Sequence, residues 1–91
     1  MTQMDKIIKI LNHYGAEQQK LKAAEELTEL QEIILKDVNK GQPPVGILGE
    51  IADVRIMLTQ LEIIYEVDPW DLRDAIDYKL DRTMMRMEGE E

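Results

Sequence analysis

All three prolines of this 91-residue chain fall at two places, Pro43-Pro44 and Pro69, and these breaks constrain the fold more than any other feature. Proline lacks a backbone donor and clashes with the preceding helical turn, so helices stop or start there. Between the breaks the apolar periodicity is helical nearly everywhere. A short apolar stretch, Ile7, Ile8, Ile10 and Leu11, ends at His13-Tyr14-Gly15, with Gly15 suited to the left-handed position that closes a helix. From about Ala16 to Asn39 the strong helix formers Ala, Glu, Gln, Lys and Leu dominate, and Leu27, Ile34 and Val38 recur at helical spacing. Asn39-Lys40-Gly41-Gln42-Pro43-Pro44 ends that segment. A third helix is predicted from about Val45 or Gly46 to Tyr65 or Glu66. Asp68-Pro69 reads as an N-cap followed by a first helical residue. It opens a fourth helix to about Met87, with a solvated tail over 88–91. With no strand pattern and no repeat, the expected fold is all-α: one domain over 1–91, four helices, the central two long.

Charge narrows the function. The chain carries 19 acidic and 11 basic residues, a formal net charge of -8. A nucleic-acid binder needs a basic footprint, and attraction to anionic lipid needs one too, so no nucleic acid and no membrane surface is expected as a partner. No apolar run approaches the roughly 20 residues of a membrane span. The polar start Met1 to Asp5 shows no basic flank leading into an apolar stretch. A cytoplasmic location is therefore expected. The absence of cysteine excludes disulfides and thiolate metal sites.

Two acidic groups stand out, Glu25-Glu26-x-x-Glu29 and Glu50-x-x-Asp53. Residues three apart share a helix face, so each group presents carboxylates together. Spacing alone fits two solvated faces. Position around the helix points elsewhere. On the second helix the apolar arc holds Ile33, Leu30, Ala23, Ile34, Leu27 and Val38; Glu26 falls inside it and Glu29 at its edge. On the third, Glu50 is flanked by Met57 and Leu61 on one side and Val54 and Ile47 on the other, and Asp53 lies beside Ile64. Burying an unpaired carboxylate costs several kcal/mol or forces protonation. The third helix offers only Arg55, which faces away from Glu50. A divalent cation resolves the conflict, and an oxygen-only donor set selects a hard one, Mg²⁺ or Mn²⁺. Mg²⁺ commonly completes its shell with substrate phosphates, so a phosphate ester or anhydride is the expected substrate.

The ordered pair of acidic motifs resembles that of the all-α nucleoside triphosphate pyrophosphohydrolases, and within them the small single-domain MazG-like proteins. The resemblance spans about residues 14 to 87. It includes Leu21-Lys22-Ala23-Ala24 before the first motif, Gly49-Glu50-Ile51-Ala52-Asp53-Val54 around the second, and Lys79, Arg82 and Arg86 in the last helix. It implies a MazG-like four-helix bundle in which Glu26, Glu29, Glu50 and Asp53 hold Mg²⁺ (or Mn²⁺). It further implies hydrolysis of a nucleoside triphosphate to the monophosphate and pyrophosphate. Glu25 would serve as a second-metal ligand or proton acceptor; Lys79, Arg82, Arg86 and Lys22 would neutralise phosphate charge. Phosphoribosyl-ATP pyrophosphohydrolase is similar in length and motif. A helical module whose acidic face binds a basic partner, without catalysis, is the alternative from another class.

Trp70 and Tyr14 offer rings on which a base could stack, although packing beside a helix start is the commoner use of such a Trp. His13, a lone histidine near a helix end, is poor evidence of chemistry. Ala52, Ile56 and Ile63 form a second apolar strip on the third helix, roughly opposite Glu50. A helix apolar on two sides must be covered on two sides. That strip, the Met84-Met85-Met87 group and the family resemblance together predict a homodimer or tetramer.

Overall fold

A computed structural model of the chain describes residues 1–90 and contains four helices: α1 (Gln3–Tyr14), α2 (Ala16–Lys40), α3 (Ile47–Ile64) and α4 (Pro69–Glu90). No strand occurs among the described residues. The breaks behave as their chemistry requires. Gly15 is the single residue between α1 and α2, at φ 91° and ψ 158°. This is a region essentially reserved for glycine rather than the left-handed helical one the sequence suggested. Its N–H donates to the Leu11 carbonyl at 2.8 Å, and its own carbonyl accepts from the Gln19 N–H at 3.1 Å, so one residue closes one helix and opens the next. At the far end of α2, Gly41 is left-handed and donates to the Asp37 carbonyl at 3.0 Å.

Two caps fix the outer helices. Thr2 and Asp5 form a capping box on α1: the Asp5 N–H donates to Thr2 Oγ1 at 3.0 Å, and the Thr2 N–H donates to Asp5 Oδ2 at 2.9 Å. Those bonds hold the Asp5 carboxyl below its usual range. Asp68 caps α4 as the sequence predicts, its Oδ1 accepting from the N–H groups of Trp70 at 2.8 Å and Asp71 at 3.1 Å. α4 continues past Met87 to Glu90, so the expected tail at 88–90 is helical, and residue 91 lies outside the described residues.

α2 and α3 pack as a hairpin across the 41–46 connection, and α1 lies against both. Lys20 of α2 sits 4.6 Å from the centre of the Tyr65 ring at the end of α3. The inner face of α2 runs through Gln19, Ala23, Glu26, Leu30 and Ile33, at alternating steps of four and three. The expected arc was too wide: Leu27, Ile34 and Val38 are all exposed, because α1 and α3 cover only one side of α2. On α3 the inner face holds Ile47, Glu50, Val54, Met57 and Leu61, with Gln60 beside them. Among the described residues, only Leu11, Ala23, Val54 and Met57 are buried apolar residues.

α4 packs on none of the other helices. It buries no residue, and its stripe of Ile76, Leu80, Met84 and Met87 is 50–59% exposed. The radius of gyration is 16.5 Å, against about 12 Å for a compact domain of this length. The accessible surface is 7501 Å², roughly 2,000 Å² more than a folded monomer of this mass ordinarily shows. Among the described residues, no helix is long and apolar enough to cross a membrane.

Candidate metal centre

The hairpin brings together three of the four expected ligands. Glu26 and Glu29 lie one turn apart on α2, Glu50 faces them from the first turn of α3, and one carboxylate oxygen of each falls within 4.8 Å of the others. Glu26 is buried, and Glu50 is half-buried. Glu26 Oε2 and Glu50 Oε1 are closed off from solvent without a hydrogen-bond partner. A buried acceptor left unpaired costs about 1–3 kcal/mol, and more when it is charged.

The electrostatics follow from that crowding. The Glu50 carboxyl is pushed up to about 7, first by the facing Glu26 carboxylate, with which it competes for a proton, then by burial and by repulsion from Glu26, Glu29 and Asp53. Glu26 is held low by the same competition and by Lys22. Glu29 is raised, chiefly by Glu26. Like charges this close cannot all ionise unless a cation joins them. The donor set, three carboxylates of which Glu26 and Glu50 each carry an orphaned oxygen, with no nitrogen or sulfur, fits a hard dication.

One cation is closer than the sequence suggested. Lys22, one turn before Glu26, places its ammonium 3.1 Å from Glu26 and 3.8 Å from Glu25, and these carboxylates raise its pKa. It stabilises one Glu26 oxygen and leaves the other orphaned. Glu25 is exposed and lies outside the converging set. Asp53 is also exposed and outside it, acting on Glu50 only through repulsion. The first motif therefore contributes two convergent oxygens, the second one.

The α4 residues are not brought to this centre within one chain. Lys79, Arg82 and Arg86 lie on a helix without neighbours, and Arg82 instead stacks over Tyr78 of its own helix at 5.8 Å. Trp70 is 66% exposed beneath Arg73. Tyr14 is exposed and meets His13 edge-on at 4.7 Å. Sequence reasoning missed two buried amides, Gln19 and Gln60, on the inner faces of α2 and α3. Like Glu26, both are polar residues set among apolar neighbours on an inner helix face. No family model, curated protein or solved structure matches the chain.

Proposed function

We propose that the chain is a Mg²⁺-dependent nucleotide pyrophosphohydrolase that works as a homo-oligomer and cleaves a nucleoside triphosphate to the monophosphate and pyrophosphate. The observation that carries this reading is the convergence of Glu26, Glu29 and Glu50 with two orphaned, buried oxygens. Such a centre is an unfavourable place for three carboxylates and a favourable one for a dication. The resemblance of both acidic motifs to the all-α pyrophosphohydrolases supplies the substrate class.

Glu26, Glu29 and Glu50 would hold the metal, with Asp53, one turn beyond Glu50, as the remaining ligand. When bound, Mg²⁺ supplies charge neutralisation at the phosphate oxygens and acidification of the attacking water. Lys22, paired with Glu26 at 3.1 Å, would be free to meet the phosphates with the metal bound. Water attacks a phosphorus, the bridging P–O bond breaks, and pyrophosphate leaves with the electron pair. Glu25, exposed beside the centre, would accept the proton.

Assembly completes the site. The uncovered α4 stripe and the excess surface of roughly 2,000 Å² match what stable homodimers bury. A second copy that covers α4 also brings Lys79, Arg82 and Arg86 out of isolation. The test is a panel of canonical and modified nucleoside triphosphates, with and without Mg²⁺, read as pyrophosphate. Metal-dependent release is expected from at least one, abolished by Glu29→Gln and reduced by Asp53→Asn with folding unchanged. No turnover on any nucleotide would leave an acidic helical interaction module in its place.

A further inference from the structure

Gln60 is the most completely buried large side chain of the described residues, 1% exposed, and neither its amide nitrogen nor its amide oxygen has a partner. Buried amides are almost always hydrogen-bonded. A Met or Leu would fill the same space without leaving donors and acceptors stranded, so the fold alone gives no reason for an amide here. Gln60 lines a groove of about 340 Å³ between α1, α2 and α3, within the range of ligand-sized pockets, roughly 300–1,000 Å³. Ile10, Ile56 and Met57 give the groove apolar walls; a second buried amide, Gln19, also lines it. Lys22 lines it too, and its ammonium is 3.1 Å from Glu26. The groove therefore adjoins the carboxylate centre through a cation suited to phosphate.

A slot with apolar walls, an amide pair and a cation at the phosphate end has the chemistry of a nucleobase site. An amide offers N–H donors beside a C=O acceptor, which complements the donor–acceptor edge of a planar heterocycle. We infer that Gln60 is the base-reading residue of this chain, pairing through its amide with the edge of a nucleobase held among Ile10, Ile56 and Met57, with Gln19 as the second amide. This rests on the pyrophosphohydrolase reading and adds its specificity determinant. Met57, unbranched and flexible, is the wall that gives way as the base reaches the amide.

The experiment measures binding by calorimetry with Mg²⁺, using inorganic tripolyphosphate and the non-hydrolysable α,β-imido triphosphates of adenosine, guanosine, cytidine and uridine. The unaltered chain should prefer one base over the others by about tenfold or more, as polar sites do when a partner is missing. Gln60→Met should abolish that preference, leave tripolyphosphate binding unchanged and raise the melting temperature. An unchanged base preference, or equal loss of nucleotide and tripolyphosphate affinity, overturns the inference. Should Gln60→Met fail to fold, the unaltered chain still decides. Triphosphates whose base lacks its exocyclic group at the pairing edge should bind about tenfold more weakly, and equal binding overturns the role of Gln60. Binding of tripolyphosphate with no base preference removes Gln60 alone. No binding of any probe removes the hydrolase reading with it.

Discussion

The hairpin of α2 and α3 and the outlying α4 use similar residues to opposite ends. In the hairpin, polar groups point inward: Gln19, Glu26 and Gln60 are buried where aliphatic residues would pack better. In α4, apolar groups point outward: Ile76, Leu80, Met84 and Met87 are exposed where polar residues would dissolve better. Each region is unfavourable alone. A buried polar group without a partner is satisfied by a water, an ion or a ligand, and an exposed apolar stripe by a covering surface. On the proposed reading these are two kinds of incompleteness, one met by a small charged ligand and the other by a second copy of the chain.

The comparison breaks most visibly at α4. Light scattering should return a multiple of 10.6 kDa. Leu80→Glu, a charge in the middle of the stripe, should shift the population to monomer and lower pyrophosphate release roughly tenfold or more, as hot-spot losses at interfaces do. A monomeric parent chain of undiminished activity would show that α4 needs no cover. A smaller effect sharpens the other half. The Glu50 carboxyl has its pKa raised to about 7 from an ordinary 4.5, so the folded, metal-free protein holds that proton more tightly than the unfolded chain. Its contribution to stability is full below about pH 4.5 and is lost as pH rises through about 7. The metal-free melting temperature should fall over that window, the fall should shrink in Glu50→Gln, and Mg²⁺ should reverse it at the alkaline end. A melting temperature indifferent to pH in that range would mean the carboxylates do not crowd one another.

The helices were legible in the sequence because their punctuation is local. Gly15, Gly41, the Pro43-Pro44 pair and Asp68-Pro69 each act within a few residues, and the observed ends fall within two residues of those read from them, save the last three residues of α4 and the start of α1, which its Thr2–Asp5 capping box places at Gln3, four residues before Ile7. The inner faces were only partly legible. Glu26 and Glu50 stood out inside apolar arcs, yet the arc of α2 was drawn too wide, because which side α1 covers depends on packing that no window of sequence contains. Lys22 belonged to the same turn as Glu26, but only the folded rotamer shows that it satisfies one oxygen and leaves the other. Asp53 shows the limit from the other direction: right spacing and an arc-edge position did not bring its carboxylate to the other three.

The claim beneath all of this is that Glu26, Glu29 and Glu50 form one binding site for a hard dication. Calorimetric titration of Mn²⁺ at pH 6 and pH 8, on the parent chain and on Glu50→Gln, tests it most directly. The account expects saturable binding that strengthens with pH, releases protons at pH 6 and weakens roughly a hundredfold when the Glu50 charge is removed. Binding that is the same in both chains, or absent from both, contradicts it.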